Sequence, residues 1–390
     1  VIYLDHAATT LVRREAIEAM WPYLTGSFGN PSSRHELGEE AARALAWARS
    51  EVAAVIGCRP GEVVFTSGGT EADNLAIKGI SLARPRGRHL VVSPVEHEAV
   101  LESAAYLVRH HGFTVTEVAV DSGGLVHPSA LEAAIRPDTA LVSVQLVNNE
   151  IGTIQPIAQL AAVAHEAGAR MHTDAVQAAG HLDLRLDAPA GSGGLGGLGA
   201  DALSLAGHKV GAPKGTGVLV ARGRIALEPV LHGGGQERGR RSGTENVAGA
   251  VAFATALRLA EAERADAAAQ ASRQGLELRA RILAGVEGAQ LTGDPDRRLP
   301  GTVSFVFPGT SGEAVLLELD RLGVTCSSGS ACAAGSSDPS HVLTAIGVPA
   351  DLALTAVRFT LGRATTDDEI ADAAASVIRA VSAVRGIVGS

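Results

Sequence analysis

The sequence predicts an α/β protein: a mainly parallel sheet covered by helices, followed by a smaller α+β part. Three observations predict it. Between residues 62 and 220, short aliphatic runs alternate with helical patterns, the rhythm of parallel strand–helix–strand units. An alanine-rich helical stretch at 247–283 interrupts that rhythm, and shorter, mixed elements follow it. At 390 residues the chain exceeds what one ordinary core organises, so two domains are expected.

In order, residues 1–5 read as a short strand, 6–10 as a turn and 13–24 as a helix. The Gly/Pro/Ser-rich GSFGNPSSRH at 26–35 is a loop. A long amphipathic helix over 36–56 puts Leu37, Ala41, Ala44, Leu45 and Ala48 on one face. A strand, EVVF at 62–65, then runs through TSGGTEADN into a helix over 71–82. Strands at 89–93, 113–120 and 140–147 alternate with helices over 94–108, 129–135 and 157–166. ARMHTDAVQAAG at 169–180 is a strand running into a turn, with Asp174 at its end and Gln177 three residues on. A glycine-rich excursion at 188–200 lacks both a following helix and a later acidic residue, so it is not a dinucleotide fingerprint. The apolar strand that begins at 201 stops at Gly207, His208 and Lys209, and a further strand covers 217–220. HGGGQERGRRSGTEN at 232–246 is a glycine-rich loop with three arginines and Thr244; it reads as a solvated loop, a phosphate contact or a subunit contact. Beyond the alanine-rich helix come strands at 302–307, 324–326 and 355–361 and helices over 312–321, 339–346 and 367–384.

Composition excludes several functions. The net charge is -9 with basic residues spread thinly, which argues against a surface for nucleic acid or for anionic lipid. No apolar run reaches the length of a membrane span, and the polar start carries no basic stretch, so neither a span nor a signal peptide is expected. Cys58, Cys326 and Cys332 form no CxxC and no metal-spaced cluster. A reducing, cytoplasmic setting without structural disulfides or a metal site is expected.

Parallel sheets bind ligands beyond the carboxyl ends of their strands, and Thr70, His97, Asn149, Asp174 and Lys209 all fall at expected strand ends. Their chemistry suits one ligand. A lysine after a buried strand is a candidate Schiff-base amine, although locally it also reads as a lysine that snorkels to water. Thr70, at the mouth of a helix whose N–H groups are free, suits an anion. Asp174 would hold a protonated ring nitrogen, Gln177 would donate to a phenolic oxygen, and His97 could lie flat over a ring. Together these are the parts of a pyridoxal 5'-phosphate site. Cys332 sits in SSGSACAAGSSDPSH among small residues that cannot cover it, which reads as a reachable, reactive thiol; Cys58 and Cys326 read as packing.

These motifs, from YLDHAATT through FGNPSS, FTSGGTEADN, VEHEAV, VNNEIG, HTDAVQAAG, GHKVGAPKG, HGGGQERGRRSGT and SSGSAC to RFTLGR, span nearly the whole chain. Through them the sequence resembles the cysteine desulfurases of the NifS/IscS type, within the class V aminotransferase superfamily of fold-type I pyridoxal-phosphate enzymes. The resemblance implies a large domain at 11–255 with a seven-stranded, mainly parallel sheet, and a small α+β domain of 1–10 and 256–390 that carries the Cys332 loop. It implies Lys209 as the cofactor lysine and Gly69, Thr70 and His208 as phosphate ligands. His97, Asp174 and Gln177 would contact the ring, Asn149 and Arg358 would hold the substrate carboxylate, and Thr244 would reach a neighbouring subunit's phosphate in a homodimer.

The implied reaction is a sulfurtransferase reaction. L-Cysteine displaces Lys209, Lys209 takes the Cα proton, and the Cys332 thiolate attacks the substrate sulfur, leaving L-alanine and a persulfide for an acceptor protein. That acceptor would be an iron–sulfur scaffold, a tRNA-thiolation enzyme or a DNA-modification system. Selenocysteine lyase, cystine lyase, epimerase or aminotransferase chemistry on the same fold is the alternative, and a non-catalytic sulfur-relay scaffold is a further one. Many family members have Ser where this chain has Ala206, which removes a hydroxyl donor to the phosphate. The glycine-rich insert before Asp201 is longer than usual.

Overall fold

The computed structural model describes residues 1–83, 86–187, 197–223, 225–329 and 338–388. Cys332, and residues 188–196 of the glycine-rich insert, lie outside the described residues.

The chain opens with β1 (Ile2–Tyr3), α1 (Arg14–Leu24) and α2 (Glu36–Ile56). Next come β2 (Val63–Thr66), α3 (Gly69–Asn74), a π-helical turn (Leu75–Gly79) and α4 (Ile80–Ala83), the last three running on as one helix. Then β3 (His89–Val92), α5 (Glu98–His111), β4 (Thr114–Glu117), α6 (Pro128–Ala134), β5 (Thr139–Ser143), α7 (Ile157–Glu166) and β6 (Arg170–Asp174) alternate. β7 (Ala202–Ala206) and β8 (Gly217–Ala221) complete a seven-stranded sheet in the order β2-β8-β7-β6-β5-β3-β4. Only β8 runs antiparallel to its neighbours.

Both faces of this sheet are covered, so its central strands are buried end to end instead of alternating with solvent. The period-2 alternation instead sorts side chains between two cores. Val63, Val91, Val142, Leu203 and Val218 join α1, α2, α7 and the start of the long helix α8 (Val247–Gly285). Their sequence neighbours Val64, Leu90, Leu141, Ala202 and Leu219 face α3, α4 and α5. On that second face the strand ends turn polar: Ser143, His172, Asp174 and Ser204 replace aliphatic residues, all buried.

Beyond α8 come β9 (Gln290–Leu291), β10 (Thr302–Val306), α9 (Gly312–Arg321), β11 (Val324–Thr325), α10 (His341–Ala345), α11 (Ala350–Ala353), β12 (Ala356–Thr360) and α12 (Asp367–Val388). β12, β10 and β9 form an antiparallel sheet. Its core joins Leu4, Phe305, Phe359 and Val377 to Leu278 and Ile282 of α8. The first residues are sewn in here: β1 pairs with β11, and Asp5 bridges Thr360.

Three expectations shift, the first being the strand expected over 113–120, which spans only Thr114–Glu117. The helix expected over 94–108 starts at Glu98, because residues 94–97 form a turn and His97 caps the helix with its own ring. The strand expected over 140–147 ends at Ser143, although Val144 and Leu146 still donate to the His172 and Asp174 carbonyls. β9 and α11 were not expected; at two and four residues, neither is long enough to show a period.

Candidate active site

The site lies at the carboxyl edge of the seven-stranded sheet. Its first part is the mouth of α3. Gly68 is the N-cap, so no side chain occupies the position from which a helix is usually capped. A Cβ on Gly69 would lie 2.9 Å from Val176 Cγ2, and one on Gly217 would lie 2.5 Å from the Gly68 carbonyl carbon. Glycine at both positions lets two strand ends and the helix mouth meet. Glu71, in the first turn, accepts from Ser67 N at 2.7 Å and pairs with Arg241 at 2.8 Å, which ties the glycine-rich loop to this corner. The remaining first-turn N–H groups form an anion cradle beside the exposed Thr70.

Lys209 ends a single 3-10 turn (Gly207–Lys209) after β7. A Cβ on Gly207 would meet Thr216 Oγ1 and Phe253, so glycine alone permits the tight exit. The Lys209 ammonium donates to the carbonyls of Ala7 and, at 2.9 Å, Ala8. Gln177 Nε2 donates to the same Ala7 carbonyl at 3.0 Å, so the turn after β1 brings the two side chains together. His208 contacts Thr9 Oγ1 through Nδ1 at 3.3 Å. Burial, then the charges of Lys209 and Lys214, push its pKa down to about 4, so the imidazole is neutral at neutral pH.

Asp174 is the last residue of β6 and is 3% exposed. Val176 N donates to its Oδ1 at 2.8 Å, and the Gln145 amide approaches its Oδ2 at 3.5 Å. Burial pushes its pKa up, opposed by the charges of His97 and Lys209. His97 Nδ1 accepts from Ala99 N at 3.1 Å, which leaves the proton of the neutral ring on Nε2. His97 and Thr70 line one groove between α3 and α5.

Arg358, on β12, is 2% exposed. It donates to the Asn149 carbonyl at 2.7 Å and to Asp5 Oδ1 at 2.8 Å, while its Nε is unpartnered among the described residues. The expected pair of Asn149 and Arg358 is thus brought together, but through the Asn149 backbone. Asn148 pins this loop: its amide donates to Val95 O, and its carbonyl accepts from Glu150 N and Ile151 N. Thr244 is exposed in the single chain.

Sequence reasoning missed Asn148 and Asp5. Asp5 was findable, because a buried arginine on an expected strand requires a carboxylate. Burial pushes the Cys58 and Cys326 thiols up to about 12, so neither is a thiolate at neutral pH.

Residues 2–372 match the sequence profile of the family described as aminotransferase class-V. The cysteine desulfurase IscS of Methanosarcina thermophila is 45% identical over 95% of this chain and 89% of its own. The chain belongs to the cysteine desulfurases of the class-V aminotransferase family. Among solved structures, a NifS-like protein aligns with a TM-score of 0.89 at 34% identity, covering 98% of this chain and 99% of its own. SspA in complex with cysteine aligns at 0.80 and 36% identity, covering 93% and 99%.

The family works with pyridoxal 5'-phosphate, and the residues present fit that group. The cradle at Gly69 is one a Cβ would fill. Asp174 is a buried carboxyl whose pKa burial pushes up against the charges of His97 and Lys209, and a protonated ring nitrogen would give it a direct partner. Ala206 closes the cradle from β7: its Cβ lies 3.4 Å from the position a Gly69 Cβ would take. Ala206→Ser is expected to tighten cofactor binding by about tenfold or more, the worth of one hydrogen bond to a charged group, about 1.5 kcal/mol or more. Spectral titration of the apoprotein with pyridoxal phosphate measures this, and unchanged or weaker binding counts against Ala206 as a phosphate-facing position.

Proposed function

We propose that the protein is a pyridoxal 5'-phosphate-dependent cysteine desulfurase that moves the sulfur of L-cysteine to Cys332 and releases L-alanine. The observation that carries this reading is the convergence of Lys209, Asp174, Gln177 and His97 at one sheet edge, in a chain whose two other cysteines are held as thiols.

The Gly69 and Thr70 N–H groups, the Thr70 hydroxyl and neutral His208 would hold the phosphate. Asp174 would keep a proton on the ring nitrogen, Gln177 would donate to the phenolic oxygen, and His97 would lie against the ring. When bound, the cofactor supplies an electron sink that acidifies the substrate Cα–H. The Lys209 amine, near the Ala7 and Ala8 carbonyls, takes that proton. Arg358 and Asn149 orient the substrate carboxylate, with Asp5 fixing the guanidinium plane. The Cys332 thiol gives up its proton to solvent. The Cys332 sulfur then bonds to the substrate sulfur as the S–Cβ bond breaks, and protonation of the carbon skeleton gives alanine.

A homodimer completes the reading. Leu11, Trp21, Leu24 and Phe28, 84%, 62%, 56% and 67% exposed, suit the surface of a second copy, whose phosphate Thr244 would then reach. The two-domain division, 11–255 against 1–10 with 256–390, accords with the separate clusters around β5 and around β10. A cytoplasmic setting accords with two thiols left unpaired. The persulfide passes to an acceptor protein, an iron–sulfur scaffold or a thiolation enzyme.

The test is product analysis. The purified protein loaded with pyridoxal 5'-phosphate, given L-cysteine and a thiol reductant, is expected to form alanine and sulfide in equal amounts. Pyruvate or ammonia in place of alanine would sink the reading.

A further inference from the structure

Behind the cofactor pocket lies a buried acidic layer with no role in the mechanism above. Asp73 on α3, Glu96 before α5 and Asp174 on β6 are 1%, 0% and 3% exposed. They are linked through polar groups. Glu96 Oε1 accepts from Gln145 N at 2.5 Å, and the Gln145 amide faces Asp174 Oδ2. Asp73 Oδ1 lies 3.7 Å from His172 Nε2, which contacts Ser204 Oγ at 3.0 Å. Ser204 is the β7 partner of Asp174 in the sheet register.

Cations face this layer from one side only. His97 and Lys209 act on Asp174. His172 is fully buried between Ser143 and Ser204, and burial pushes its pKa down to about 3, so it brings no charge. Of this layer His341 reaches the Glu96 backbone carbonyl, at 3.0 Å, and its other ring nitrogen faces Glu98 at 3.5 Å. Asp73 Oδ1, Glu96 Oε2 and Gln145 Oε1 have no hydrogen-bond partner among the described residues. Three ionised carboxylates here would cost several kcal/mol each. The alternative to ionisation is to keep the proton.

We propose that Asp73 and Glu96 are positioning residues for Asp174: both remain protonated acids at neutral pH, so the layer carries one negative charge, on the carboxylate that faces the cofactor. Burial acts in this direction on both, raising their pKa values well above the usual carboxylate range. Asp174 is also raised by burial, but it alone has opposing cations. Two ionised neighbours would drive Asp174 itself to take up a proton, and it could not then hold one on the ring nitrogen. The inference rests on the placement of the cofactor against Asp174 given above.

Infrared difference spectra of the holoenzyme test it. At pH 7 the wild type is expected to show protonated-carboxyl C=O absorption, and Asp73→Asn and Glu96→Gln are each expected to lose one such band. Loss of an ionised-carboxylate band instead would overturn the proposal. So would the absence of any protonated-carboxyl band in the wild type, which needs no variant to fold. In a second arm, both amide variants keep the pH midpoint of the cofactor's visible band within about half a unit. Glu96→Ala, which strands the Gln145 N–H, is expected to lower cofactor affinity, and Gln at the same position restores it. A midpoint moved by more than about one unit in Glu96→Gln or Asp73→Asn overturns the proposal. Asp174→Asn separates the two readings: an unmoved visible band there refutes the cofactor placement, while the infrared result still decides the protonation of Asp73 and Glu96.

Discussion

Lys209→Ala is expected to lower turnover by at least about a thousandfold and to abolish the covalent link to the cofactor. The chain has three lysines, Lys78, Lys209 and Lys214. Lys78 donates to Asn74 at 2.6 Å and lies over the Tyr106 ring, and Lys214 is exposed. Only Lys209 stands at the end of a buried strand with its amine held by main-chain carbonyls. Such carbonyls orient the ammonium without neutralising it, so the amine can leave them for a carbonyl carbon. The substitution leaves the proposed noncovalent contacts at Thr70 and Asp174 in place, so the variant is expected still to bind the cofactor, with an altered visible band. Borohydride reduction followed by peptide mass spectrometry is the decisive measurement. The wild type should carry the reduced adduct on Lys209 and the variant on no lysine. An adduct on Lys78 or Lys214 in the wild type would contradict the assignment.

Cys332→Ser is expected to leave the cofactor spectrum intact and to cut reductant-dependent sulfide release by at least about a hundredfold. Cys58→Ser and Cys326→Ser should leave release near the wild-type level, because burial holds both native thiols up to about 12. The sensitive readout is intact-protein mass after one turnover, in which one added sulfur atom appears on the wild type and is missing from the Cys332 variant. Full sulfide release by Cys332→Ser removes the persulfide from the pathway.

Much of the site was legible because parallel sheets collect their functional residues at one edge. Reading the alternation of strands and helices was enough to put Thr70, His97, Asp174 and Lys209 there, since Asp174 ends its strand and the other three follow theirs by a few residues. What escaped was set by contacts between distant segments. Asp5 and Arg358 are 353 positions apart. Nothing local distinguishes Asn148, which anchors its loop, from Asn149 beside it. The acidic layer was invisible for the same reason: Asp73 and Glu96 each sit in an ordinary helix-start pattern, and only the packing of α3 on β7 and β8 reveals that they share a buried space with Asp174. The start of α5 moved because a proline next to a strand end reads equally well as a first helical residue or as part of a turn.

The turn after β1 has a consequence for how the enzyme is made. Residues 7 and 8 hold the Lys209 amine, residue 7 holds Gln177, and Asp5 and Ala7 are fixed in turn by Arg358 and Thr360 on β12. A ribosome-bound chain that has already exposed β2 to β8 therefore has its phosphate cradle and its lysine but not the clasp that orients them. The clasp closes only when the strand at Ala356–Thr360 emerges and captures residues made first. The contacts of the site are therefore complete only once the strand at the far end of the chain has folded back onto the residues made first.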